Sequence, residues 1–116
     1  MSFEVYYHPQ FKKELKQLST KHHSIKLDVA QLIDNLEAYP KSGVEIAPDV
    51  YKIRLAITSK GRGKSGGGRV VTYVVTEDQE VWLLSIYDKA DRENIRDKDV
   101  ASLVASVMEM KRETNT

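Results

Sequence analysis

A single change of hydrophobic period constrains this chain most. Up to residue 38 apolar side chains recur at intervals of three and four, and after the turn-rich stretch Pro40 to Asp49 they recur at intervals of two. The first spacing belongs to helices with one buried face and the second to half-buried strands. Phe11, Leu15 and Leu18 follow Pro9, which suits the first turn of a helix. Leu27, Ala30, Leu32, Ile33 and Leu36 form a second stripe, with Ser24 placed to cap it. Phe3 to Tyr7 reads as a short strand ahead of them. Beyond the switch, Val50 to Ile57, Arg69 to Thr76 and Val81 to Tyr87 read as three strands. The last two are joined by the polar connection Glu77-Asp78-Gln79-Glu80. Val100, Leu103, Val104, Val107 and Met108 then mark a closing helix from about Asp97 to Lys111. Residues 1–116 form one α+β domain: an antiparallel β-sheet meander with an N-terminal strand and helical hairpin packed on one face, and a C-terminal helix. With all helices assigned to the isoleucine side, the opposite sheet face is expected to be open.

Charge is distributed as unevenly as hydrophobicity. Between Val50 and Thr76 there is no acidic residue, whereas Lys52, Arg54, Lys60, Arg62, Lys64 and Arg69 supply six positive charges; the remainder carries 12 basic against 17 acidic residues. One basic segment on an otherwise acidic molecule points to a polyanionic partner. The chain has no cysteine, so thiolate metal sites, disulfides and thiol redox chemistry are excluded. No apolar run approaches the length that spans a bilayer, and the N-terminus lacks the pattern of a signal peptide. The expectation is a cytoplasmic protein without a membrane partner.

Within the basic segment lies GRGKSGGGR, residues 61–69, which contains the letters of two nucleotide-binding motifs. Neither has its context. A P-loop needs glycine at position 58, which is threonine, and both motifs must open a helix whose N-terminus holds phosphate. Here Arg69 leads instead into Val-Val-Thr-Tyr-Val-Val, a strand. The stretch therefore reads as a cationic hairpin loop, and no nucleotide cofactor is expected.

Alternation along the strands separates two faces. Ile53, Leu55 and Ile57 oppose Lys52 and Arg54. If Leu84 and Ile86 face the core, then Ser85 and Tyr87 share the open face with Lys52, Arg54, Arg69 and Tyr73, and Lys89 lies just past the strand end. Cations for phosphates and aromatic rings for unstacked bases are what a single-stranded RNA site requires. Lys60, Arg62 and Lys64 are assigned to tracking phosphates, with Tyr73 as an RNA contact. His8, His22 and His23 lie near helix starts, away from this face, and read as surface or capping residues. No histidine and carboxylate set has metal-ligand spacing.

Three segments together resemble the RelE/ParE superfamily, and are most similar to its HigB-like toxins of type II toxin-antitoxin systems. They are Tyr51-Lys52-Ile53-Arg54-Leu55, Lys64-Ser65-Gly66-Gly67-Gly68-Arg69-Val70-Val71 and Leu83-Leu84-Ser85-Ile86-Tyr87-Asp88-Lys89-Ala90. The resemblance spans nearly the whole chain. It implies a ribosome-dependent mRNA endonuclease, or mRNA interferase, that cleaves A-site codons and is neutralised by a cognate antitoxin, with no metal or other cofactor. The implied partners are the antitoxin and mRNA on the ribosome with its rRNA. By the same resemblance, Lys52 and Arg54 fall on the paired basic strand positions, Arg69 on the transition-state arginine and Lys89 on the general acid. Arg54 stands where RelE has a lysine base, and an arginine is effectively never deprotonated, so it is a phosphate clamp. The stacking tyrosine of RelE falls near Ile95, so that by the resemblance stacking is either lost or transferred to Tyr87. Lys52, Tyr87 and Asp88 are the candidates for proton acceptor. Two other readings share the fold: a ParE-like DNA gyrase inhibitor and a non-catalytic RNA-binding translation repressor.

Overall fold

The computed structural model describes residues 2–61 and 66–114. Among them the order is β1 (Glu4–Tyr7), α1 (Pro9–Ser19), α2 (Ile25–Ala38), β2 (Val44–Ala47), β3 (Val50–Leu55), β4 (Gly68–Val75), β5 (Glu80–Asp88) and α3 (Asp97–Thr114). The sheet order is β1-β5-β4-β3-β2. Strands β2 to β5 pair antiparallel as the meander requires, while β1 adds in parallel alongside β5. The turn-rich stretch thus contains a strand that its composition conceals. Gly43 makes the entry to β2 possible: its φ is +93°, and a Cβ there would lie 2.4 Å from the Lys52 carbonyl oxygen.

Local chemistry accounts for the helix starts. His8 caps α1, its Nδ1 accepting from the Gln10 amide at 3.0 Å, with Pro9 in the first turn. Ser24 precedes α2, but its hydroxyl donates to the Asp28 carboxylate at 2.8 Å instead of capping the backbone. Asp28 is buried and also accepts from the Thr58 hydroxyl at 2.6 Å and the Thr58 amide at 3.0 Å. That carboxylate pins the chain leaving β3 to α2.

Two cores lie on opposite faces of the sheet. On one, Phe11, Leu15, Ile25, Val29 and Leu36 of the hairpin pack on Ile53, Leu55, Val70, Val74, Leu83 and Ile86. On the other, Val100, Leu103 and Val107 of α3 cover Val50, Val71, Leu84 and Tyr87. The C-terminal helix therefore does not join the hairpin. The valines and Leu84 on the second face present apolar area that must be removed from water, and α3 is what removes it. Three side chains assigned to apolar stripes, Leu27, Ala30 and Met108, are exposed.

Strict alternation fails in β5. Val71 pairs with Ser85 but Thr72 pairs with Leu83, so Leu84 is an extra residue in a β-bulge. Before the bulge Val81 and Leu83 face the hairpin; after it Ile86 does, and Leu84 turns to α3 with Tyr87. Ser85 consequently leaves the face expected for it. Its hydroxyl donates to Glu14 Oε1 at 2.8 Å, and the same oxygen accepts from the Ile86 amide at 3.2 Å. Glu14, from α1, thus satisfies a backbone donor at the bulge.

Candidate active site

Helix α3 covers part of the second face. Beyond it a groove of about 1000 Å³ runs over β3, walled on one side by Lys52, Arg54, Arg69, Lys89, Glu93 and Asn94 and reaching around the sheet edge to Asp28, Gln31 and Asn35 of α2. Four of the residues singled out in the sequence are brought together here. Arg54 stands directly opposite Arg69, which stands opposite Tyr87 on the next strand. Like charges opposite one another on adjacent strands are destabilising, and Arg69 is only 5% exposed. One Arg69 guanidinium nitrogen donates to the Gly68 carbonyl at 3.0 Å. A pair of guanidinium groups so placed favours an anion between or above them, since their attraction to it is less screened than in open water.

Lys52 is two residues before Arg54 on the same strand, and its Nζ donates to Asn94 Oδ1 at 3.0 Å. Asn94, in the connection from β5 to α3, was not found by sequence reasoning. The contact joins residues 42 positions apart, and no periodicity announces it. Lys89 is exposed, while its backbone amide is held by the Gly67 carbonyl at 3.1 Å. Gly67 cannot carry a side chain: a Cβ would lie 2.3 Å from the Leu55 carbonyl oxygen. The final glycines bring β4 close against β3, so that Arg69 enters the groove next to Arg54.

Tyr87 borders Arg69 but differs from its expected role. It is 5% exposed and packs in the α3 core with Ile95. Arg92 sits over its ring, 5.3 Å from the centroid. A ring so enclosed offers no face for a base, so stacking is not transferred to it. Burial raises the pKa of its phenol, against the lowering influence of Arg69, Arg92 and the Ile95 backbone. At neutral pH the phenol therefore keeps its proton, which suits a donor and not a proton acceptor. Its oxygen is buried with no well-formed hydrogen bond among the described residues.

Three further expectations are corrected. Lys60 does not track phosphates: it is mostly buried, and its Nζ meets Asp88 Oδ1 at 2.9 Å and the Gly66 carbonyl at 3.2 Å. Its charge is already neutralised inside the protein. Asp88 is not a free proton acceptor, because it also binds His22 Nε2 at 3.0 Å and the Ala90 amide at 3.0 Å. Burial acts to raise its pKa, but the bonds from Lys60, Ala90 and His22, with the Lys60 charge, outweigh this and leave it below the usual carboxylate value. Tyr73 lies four residues along β4 from Arg69, about 13 Å at the usual strand rise. It is half-buried against α3 and does not line the groove. Arg62 and Lys64 lie outside the described residues.

Of the histidines, His8 caps as expected and is buried, with Nε2 3.0 Å from Ser106 Oγ of α3. Burial lowers its pKa. His22 is not remote from the site, as its bond to Asp88 shows, whereas His23 is exposed. Among the described residues no group of three or more histidine or carboxylate side chains is placed to hold a metal ion. No helix there is long and apolar enough to cross a membrane.

The fold has solved counterparts. A double arginine-to-alanine mutant of the Escherichia coli toxin RelE in the free state matches with a TM-score of 0.62 and 19% identity, over 92% of this chain and 99% of that one. The isolated E. coli RelE toxin matches at 0.52 and 22% identity, over 91% and 99%. The RelBE2 toxin-antitoxin complex from Mycobacterium tuberculosis matches at 0.54 and 14% identity, over 76% and 99%. At these identities the likeness is one of fold. The model of the RelE toxin of the RelE/RelB toxin-antitoxin system matches residues 5–115, nearly the full length, and the chain therefore belongs to that family of toxins.

Proposed function

We propose that this toxin is a metal-independent endoribonuclease that cuts mRNA in the ribosomal A site, and that its groove is the cleavage site. The observation that carries the reading is the cross-strand pair Arg54 and Arg69, flanked by Lys52 and Lys89 in one groove. In this reaction a ribose 2'-OH attacks the adjacent phosphorus and the bond to the 5'-oxygen breaks. The products are a 2',3'-cyclic phosphate and a 5'-OH. Arg69 and Arg54 hold the phosphate and stabilise the charge that accumulates on the phosphorane, the effect worth most in a site of this kind. Lys89, at the groove edge, donates the proton to the departing 5'-oxygen. Lys52, oriented by Asn94, is the candidate to receive the proton of the 2'-OH, since Asp88 is engaged elsewhere and Tyr87 remains protonated. Such an activity acts in the cytoplasm, and a co-expressed antitoxin is the partner that restrains it. Related toxins have been solved in complex with antitoxins, the M. tuberculosis pair among them.

The test is to induce the wild-type chain and Arg69→Ala in growing cells and to map transcript 5' ends. Wild type is expected to produce cuts in phase with the reading frame of translated messages, and Arg69→Ala to reduce them on the order of 10²-fold or more. Growth arrest with intact transcripts would refute nuclease activity. Breaks in DNA that depend on gyrase would instead assign the toxin to the gyrase-inhibiting class, and arrest with ribosomes blocked on uncut message to the binding class.

A further inference from the structure

Asp88 is a buried carboxylate with three hydrogen-bond partners next to the groove, yet it does not line the groove. It is the last residue of β5, between Tyr87 and Lys89, and is 5% exposed. Its side chain gathers three otherwise separate segments. His22 comes from the turn between α1 and α2, Lys60 from the turn after β3, and the Ala90 amide from the connection to α3. Lys60 extends the set by donating to the carbonyl of Gly66, the described residue that precedes Gly67 and β4. Next to it the Gly67 carbonyl receives the Lys89 amide, and the Asp88 carbonyl receives the amides of Asp91 and Arg92. Every tie thus ends within three residues of Arg69 or Lys89, or on the chain that carries Arg92 over Tyr87.

We propose that Asp88 is a positioning residue for RNA cleavage: with Lys60 and His22 it forms a buried clasp behind the groove that sets where Arg69 and Lys89 stand relative to each other. The inference rests on the nuclease reading above. Arg69 lies in β4 and Lys89 just past the end of β5; the ladder pairs Gly68 with Asp88 and Arg69 with Tyr87, and the Lys89 amide bond to the Gly67 carbonyl closes the junction at the end of that ladder. The clasp keeps that junction closed from behind. It also withholds the Lys60 charge from the RNA, which explains why a lysine in a basic segment is buried. A buried pair of this kind is strongly coupled, since removing either partner leaves the other uncompensated.

The experiment compares wild type, Asp88→Asn, Lys60→Met and the double variant. Each is measured for single-turnover cleavage of ribosome-bound mRNA at saturating toxin, for affinity toward the ribosome, and for melting temperature. Displacement of catalytic groups by about 1 Å costs on the order of 10²-fold. Each single variant is therefore expected to cleave at least tenfold more slowly at saturation, with ribosome affinity changed less than twofold. Because the residues act as one unit, the double variant is expected to be no slower than the slower single variant. Melting temperature falls for any loss of a buried pair, so it does not decide the matter; the saturated rate does. If Asp88→Asn folds and cleaves at the wild-type rate, the clasp is only structural and the proposal is overturned. If Lys60→Met weakens ribosome binding while the saturated rate holds, Lys60 is an RNA contact and the proposal is likewise overturned. A wild-type toxin that leaves message intact would instead remove the nuclease reading itself, and with it the reaction that the clasp is said to serve.

Discussion

Gly67 and Gly61, both in the glycine-rich stretch, resist the same substitutions for different reasons. At Gly67 the obstacle is space. A Cβ would sit 2.3 Å from the Leu55 carbonyl oxygen and 3.1 Å from the Ile57 amide. A carbon rests no closer than about 3.3 Å to such an oxygen, so Gly67→Ala must push the start of β4 away from β3 by roughly 1 Å. Overpacking of this sort costs about 1–3 kcal/mol. With ~2.1 cal/mol/K of unfolding entropy per residue, a chain of 116 residues should lose roughly 4–12 °C in melting temperature. At Gly61 the obstacle is conformation: φ is +70°, and among the described residues other than its chain neighbours no heavy atom lies within 4 Å of an added Cβ. Asparagine tolerates that left-handed backbone and alanine does not, so Gly61→Asn should be more stable than Gly61→Ala. At position 67 asparagine should be no better than alanine, because both carry the offending carbon. Thermal melts followed by circular dichroism on the four variants give the answer. The cleavage rate of Gly67→Ala should also fall on the order of 10²-fold, as Arg69 moves with the strand. A Gly67→Ala chain that melts with wild type, or an asparagine that rescues position 67, would refute the steric argument.

Other outcomes follow from the same geometry. Glu14→Ala strips the acceptor from the Ser85 hydroxyl and the buried Ile86 amide and should cost about 1–3 kcal/mol in urea denaturation. Glu14→Gln keeps an acceptor oxygen and should cost less; equal losses would show that the bulge does not depend on that hydrogen bond. The pKa of Asp88 is depressed in the folded state. Its stabilising contribution is therefore fully present above the unfolded carboxylate value near 4 and is lost as pH falls through the lower folded value. The difference in urea midpoint between wild type and Asp88→Asn should stay level from pH 7 to about 5 and narrow below about 4; a gap that widens on acidification would contradict the assignment.

The positions of the elements were legible because helix and strand periods are local properties of the chain. Phe11, Leu15 and Leu18 bury as their spacing demands, and Ile53 and Leu55 pack on the hairpin while Lys52, paired with Val71, lies on the other face with Arg54. The acid-free run from Val50 to Thr76 likewise located the groove's cations Lys52, Arg54 and Arg69 without any structure. Strand β2 was hidden among turn residues, since four residues at a sheet edge carry almost no periodic signal.

What the tertiary structure alone decided is which of these residues meet. Alternation predicts faces only while a strand stays regular, and the bulge at Leu84 reverses parity, sending Ser85 to Glu14 and Leu84 to α3. An amphipathic helix announces that it has a buried face but not which side of the sheet receives it, so the placement of α3 over Tyr87 was not readable. Charge acts over distance in the same way. Lys60 looked like part of a basic loop until Asp88, 28 residues later, was found 2.9 Å from it. Asn94 gained a role only by reaching Lys52 across 42 residues. The sequence by itself determined every element but β2, and the supply of positive charge, both written in neighbouring residues. The division of those cations between groove and interior came from contacts between distant parts of the chain, which exist only once the sheet has closed.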